Sequence, residues 1–170
     1  MMVKSPELLK KRLQAKEKQA EQRDVIRLSG LMFMAGFLLA GLDFRFSWTQ
    51  LPDAASYAAC AAFLLAYVLY AEVLRENMWL SRTIEVQEGQ QVVSTGLYGI
   101  VRHPMYAATL LLFMSMPLVL ASGVSFVVFL AYPAIIAKRI RGEEELLERE
   151  LAGYSAYKKK VRYRMIPFIW

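Results

Sequence analysis

Residues 104–137 read PMYAATLLLFMSMPLVLASGVSFVVFLAYPAIIA and contain no Asp, Glu, Lys or Arg. Ala121-Ser122-Gly123 interrupts the run as a tight turn, so it reads as two apolar helices folded back on each other in a bilayer. The first covers 104–121. The second begins at Val124, is short, and reaches full length near residue 139 by snorkelling of Lys138, Arg139 and Arg141. Pro117 and Pro133 are expected to kink these helices, which is tolerable where neighbouring helices cover the freed carbonyls.

Upstream, two more apolar blocks of spanning length stand at 25–42 and 54–74. Asp43-Phe44-Arg45-Phe46-Ser47-Trp48 follows the first as an interfacial aromatic belt, and Pro52-Asp53 marks a turn. The 170 residues are 56% hydrophobic with a mean hydropathy of +0.30, more apolar than a soluble domain of this length requires. The fold class is therefore all-α: a helical membrane bundle of about four spans at 25–42, 54–74, 104–121 and 124–139. Residues 25–170 form one membrane-embedded domain.

The lone Cys60 excludes an intramolecular disulfide, and with the lone His103 it makes a His/Cys zinc site implausible, so no metal is expected. The net charge of +6 does not point to nucleic acid. The basic residues flank apolar blocks, which fits membrane orientation and contact with anionic lipids. Residues 1–24 read as an exposed basic helix, opened by Ser5-Pro6-Glu7. Residues 75–103 contain no span. Short extended pieces are expected at 83–86 and 91–93, with a turn at Glu88-Gly89-Gln90. After Gly142 a polar helix is expected over 143–160. Segment 1–27 carries eight Lys/Arg, 75–104 three and 138–170 nine, whereas 43–53 carries only Arg45. This count places both termini and the 75–104 loop in the cytoplasm of an inner membrane, so one site can draw on all three segments.

Several polar stretches are candidates for chemistry. In Arg102-His103-Pro104, the proline fits a first helical turn and holds His103 extended. The N–H groups of Met105, Tyr106 and Ala107 then offer an anion site. The same tripeptide is equally an ordinary charged cap. Arg139 and Glu143 lie four apart on one helix face, suited to the two ends of a zwitterion, or simply to anchoring. Tyr154, Tyr157 and Lys158–Lys160 are either a lipid-surface contact or a basic tail. Glu72 and Arg75, one helical turn apart, are expected to pair.

The order of these pieces is more specific than any one of them. Gly96, Tyr98, Val101-Arg102-His103-Pro104 and Tyr106 precede a helical hairpin. Arg139-Ile140, Glu143-Glu144 and Leu147 follow it, then Gly153 and Tyr157. Over 77–170 this resembles the isoprenylcysteine carboxyl methyltransferase family, which is related to membrane phospholipid methyltransferases. Leu97, Ala107-Ala108 and Val161-Arg162-Tyr163 depart from the family's usual residues without removing a ligand-bearing side chain. The resemblance implies S-adenosyl-L-methionine as cofactor, bound along segment 90–106. It implies cofactor contacts from Gln91, Val92, Val93, Tyr98, His103, Pro104, Met105 and Tyr106, and from Glu143 and Glu144. Arg139 would position the acceptor's carboxylate. The acceptor would be lipophilic and enter from the bilayer.

A carboxylate acceptor is already ionised and needs no general base, so positioning and water exclusion suffice. An amine acceptor needs a base, and a thiol is intermediate. Phospholipid N-methylation and thiol S-methylation are the alternatives within the fold. A non-enzymatic transporter subunit or scaffold is the alternative outside it.

Overall fold

The computed structural model describes residues 20–81 and 84–170. Most of the basic helix expected over 1–24 lies outside the described residues, and Ala20 onward belongs to a longer helix. The described chain forms α1 (Ala20–Phe46), α2 (Asp53–Glu76), α3 (Pro104–Val119), α4 (Gly123–Phe129), α5 (Tyr132–Glu150) and α6 (Tyr154–Lys160). A 3₁₀ turn, Gly96–Gly99, stands between α2 and α3. No strand occurs among the described residues: of the pieces expected at 83–86 and 91–93, residues 84–86 and 91–93 are irregular loop and Thr83 lies outside the described residues.

Three helical stretches are long and apolar enough to cross a membrane: α1 from Arg23, α2, and the α4–α5 pair. α3 is apolar but has 16 residues, about 24 Å of rise against a hydrocarbon core of about 30 Å. Two boundaries differ from the sequence reading. The break falls at 130–131, and Pro133 stands in the first turn of α5, where its missing N–H is harmless. Gly142 does not end a helix: α5 runs through it to Glu150. The helix expected over 143–160 is instead divided at Gly153, whose φ of +84° suits a residue without Cβ.

Packing follows from small residues and alternating buried positions. α2 buries Ala59, Ala66 and Val73, seven residues apart, along α3. Such small residues let helix backbones approach where lipid supplies no hydrophobic drive. Gly36 of α1 does the same for α4: a Cβ there would stand 2.3 Å from the Phe129 ring. Phe33 meets the rings of Phe113 and Phe129 edge-on at 4.7 and 5.4 Å, and Phe113 meets Tyr132 at 4.9 Å. Leu31, Met34, Leu38, Leu64 and Val68 are exposed on the outside, as suits a lipid-facing surface.

At one end of the bundle the belt residues Phe44, Phe46 and Trp48 are exposed, as expected, but Asp43 is not. Its carboxylate accepts hydrogen bonds from Thr49 N at 2.7 Å, Thr49 Oγ1 at 2.6 Å and Ser122 Oγ at 2.5 Å. Gly123 N donates to Thr49 Oγ1 in turn. Asp43 therefore ties α1 to the α3–α4 turn. Asp43→Ala strands three donors and is expected to cost about 2–4 kcal/mol. Thermal unfolding in detergent checks this, with ligand affinity expected to hold because the candidate site lies at the opposite end.

Candidate functional site

Pro104 opens α3, and His103 caps it at φ −125°, ψ 60°. Its ψ falls short of the extended conformation expected before a proline, and this backbone leaves Arg102 and His103 alongside the C-terminal segment. Arg102 N donates to Tyr163 O at 2.9 Å, and His103 N donates to Arg164 O at 2.8 Å. The helix start offers fewer donors than the sequence suggests, because Ala107 N bonds the His103 carbonyl at 3.2 Å.

Behind this ladder lies a buried charge cluster. Arg102 Nε and Nη2 both reach Glu144 Oε1 at 2.7 Å, and Nη1 donates to the carbonyls of Val161 and Arg162 at 2.8 and 2.7 Å. Arg164 Nε donates to Glu144 Oε2 at 2.9 Å, and His103 Nε2 lies 3.3 Å from Glu144 Oε1. The Arg102 and Glu144 side chains are 4% and 3% exposed. The cluster ties the loop before α3 to α5 and the C-terminal segment.

A cavity opens in front of this cluster. Gln91, Val92, Val93, Tyr98, His103, Met105, Tyr106, Arg139 and Glu143 all line it. Pro104 and Glu144 do not. Pro104 is buried at the helix start, and Glu144, one residue past Glu143, turns to the opposite face to meet Arg102. The Arg139–Glu143 pairing is realised through a third residue. Tyr106 OH donates to Glu143 Oε2 at 2.6 Å, and Arg139 Nε donates to Tyr106 OH at 3.0 Å. Glu143 Oε1 lies 4.0 Å from His103 Nδ1.

The loop after α2 forms the opposite wall, including Asn77, Trp79, Ile84 and Glu85. Asn77 Nδ2 donates to Tyr98 OH at 2.9 Å, and Gln87 Nε2 donates to Trp79 O at 2.7 Å. Gly96 has φ +51°, and a Cβ there would lie 2.8 Å from the Glu76 carboxyl carbon. That φ favours glycine, and the close approach brings Thr95 Oγ1 to donate to Glu76 Oε2 at 2.7 Å.

Tyr154 and Tyr157 overturn the surface reading of that stretch, for both are buried and line the cavity. Their spacing of three puts them on one face of α6, a signal a basic run disguises. Tyr157 OH donates to Tyr98 O at 2.7 Å. Burial pushes the Tyr98 hydroxyl up to about 12, against the Asn77 hydrogen bond and with help from the Glu143 charge. Burial likewise pushes Tyr154 and Tyr157 up, so all three are neutral donors at physiological pH.

A second cavity, lined largely by apolar groups of α1, α3 and α5 such as Val25, Phe33, Phe113 and Ile136, abuts the first. Leu80, Ser81, Met105, Tyr106 and Arg139 line both. Elsewhere, Arg75 Nε donates to Glu72 Oε2 at 2.9 Å on the exposed side of α2. Glu72 is thus paired with Arg75 as expected and lines neither cavity.

Comparison with known proteins shows a family and a curated relative that this sequence resembles. The profile of the isoprenylcysteine carboxyl methyltransferase (ICMT) family matches residues 55–149, from α2 almost to the end of α5. The Delta(14)-sterol reductase TM7SF2 of Mus musculus is 31% identical over 91 residues, 52% of this chain and 22% of the reductase. The chain thus spans about a fifth of that curated relative's length.

Proposed function

The chain belongs to the isoprenylcysteine carboxyl methyltransferase family, and from that premise we propose that it is an integral membrane methyltransferase using S-adenosylmethionine on a lipophilic acceptor. The observation that carries this reading is the junction of the two cavities. A polar chamber with a carboxylate, Glu143, meets an apolar chamber at Arg139 and Tyr106. The donor set fits the cofactor. Glu143 suits an ammonium, Val92, Val93, Tyr98 and Met105 supply apolar wall, and the buried Tyr154 hydroxyl is without a partner. When bound, S-adenosylmethionine supplies an electrophilic methyl group on a sulfonium.

The chain's own work is then positioning and water exclusion. Tyr106 fixes the Glu143 carboxylate and at the same time orients Arg139. Arg139, on the shared wall, suits an anionic acceptor group arriving from the apolar side. That favours a carboxylate acceptor, which needs no base. His103, buried between Glu143 and Glu144, is poorly placed to deprotonate an amine or thiol. In this reading α3 is a fourth crossing, both termini and the site face the cytoplasm by the Lys/Arg distribution, and the basic flanks contact anionic lipid.

A second reading has one observation in its favour, the likeness to a sterol reductase. Reduction needs a hydride donor, and a reduced nicotinamide dinucleotide brings phosphates. Among the described residues the arginines on the polar chamber are Arg102 and Arg139. Arg102 is bonded through all three nitrogens, so Arg139 would be the one arginine on that chamber to answer a pyrophosphate. Titrating S-adenosylhomocysteine and reduced nicotinamide dinucleotides separately into the purified protein decides between them. Saturable binding of the thioether alone is expected. Binding of the dinucleotide alone would install the reductase reading.

A further inference from the structure

Tyr154 is 4% exposed and lines the polar chamber. Its hydroxyl is the buried side-chain polar atom that has no hydrogen-bond partner among the described residues. Nearly every buried hydroxyl in a folded protein is paired, because leaving one unpaired costs stability. The neighbouring phenols show the contrast: Tyr157 OH is used by Tyr98 O, and Tyr98 OH by Asn77. α6 holds Tyr154 rigidly, with Leu151, Tyr157 and Val161 packed around it and Val86 and Val92 of the loop against them. A protein that keeps a rigid, unpaired donor on a chamber wall has a ligand acceptor to meet it.

The ligand's chemistry identifies that acceptor. An α-amino acid end carries its ammonium and carboxylate one carbon apart, so the groups that bind them must share a chamber. Glu143 serves the cation. For the anion, Arg102 is spent on Glu144 and two carbonyls. A neutral phenol bonding a carboxylate makes a short, charge-assisted hydrogen bond. We infer that Tyr154 is a cofactor-binding residue whose hydroxyl donates to the carboxylate of the amino-acid end, beside Glu143. This rests on the methyltransferase reading above.

The test compares Tyr154→Phe with the parent protein in two titrations, S-adenosylhomocysteine and the decarboxylated form of that thioether. The hydroxyl and the carboxylate are thereby removed separately and together. Tyr154→Phe is expected to weaken S-adenosylhomocysteine about tenfold or more and the decarboxylated form less than about twofold. The ligand-free melting temperature is expected to hold or rise, since an unpaired buried hydroxyl is removed. Equal weakening of both ligands, or no weakening, overturns the assignment while leaving the methyltransferase reading standing. A melting temperature lowered by several degrees overturns it too, because the hydroxyl would then have a structural partner. A parent protein that binds neither thioether overturns the reading and the assignment together.

Discussion

Glu144→Ala is expected to cost about 3–5 kcal/mol, the cost of removing one partner from a buried ion pair. Glu144 answers Arg102, Arg164 and His103 at once. Without it, the guanidinium of Arg102, 4% exposed, remains buried with only carbonyl partners. The loss reaches the site because the cluster closes the contact between the loop before α3 and the C-terminal segment. Glu144→Gln keeps the acceptor and loses the charge, and should fall between. Arg102→Leu combined with Glu144→Leu should cost less than the sum of the two single changes, since each alone strands the other. Denaturation in detergent measures all five.

Glu143→Ala is expected to do the opposite: leave the fold nearly intact and weaken S-adenosylhomocysteine by about a hundredfold. Its side chain is 25% exposed, and it meets the Tyr106 hydroxyl and, at 4.0 Å, His103. Little stability depends on it. A ligand ammonium desolvated against it does depend on it, and losing one partner of such a pair costs about 2–5 kcal/mol. Glu143→Gln, which still accepts from Tyr106, should lose less. In the proposed reading adjacent glutamates divide the labour, Glu144 structural and Glu143 ligand-facing. Calorimetric titration beside a melting curve separates the two.

Local signals in the sequence are those the structure follows most closely. The apolar blocks at 25–42 and 54–74 lie within α1 and α2, and Ala121 does turn, with φ of +53°. Pro104 begins a helix, and Arg139 and Glu143 share a face because both follow from spacing alone. Gly142 misled, because one glycine costs a long helix only about 1 kcal/mol, whereas Pro133 suits the helix start at which it stands. Long-range partnership was not legible. Arg102 bonds residues 42, 59 and 60 positions away, and Asp43 bonds Ser122 79 away. Both side chains read locally as interfacial charges. Tyr154 and Tyr157 were hidden for a different reason: a Lys158–Lys160 run suggests solvent, and only the fold shows that the helix turns its aromatic face inward. The family resemblance named several of the chamber's lining residues, but neither Asn77 and Trp79 nor the distinction between Glu143 and Glu144.

The reaction proposed for this site is methyl transfer to a lipophilic acceptor. Membranes containing the protein, given S-adenosylmethionine labelled in its methyl group and a prenylcysteine or lipid-extract acceptor, are expected to move label into the organic phase, and Glu143→Ala membranes are not. Release of that label by mild base identifies a carboxyl ester; label that survives base identifies an amine or thioether instead. Folded protein that binds no S-adenosylhomocysteine and transfers no label to any of these acceptors would contradict the claim.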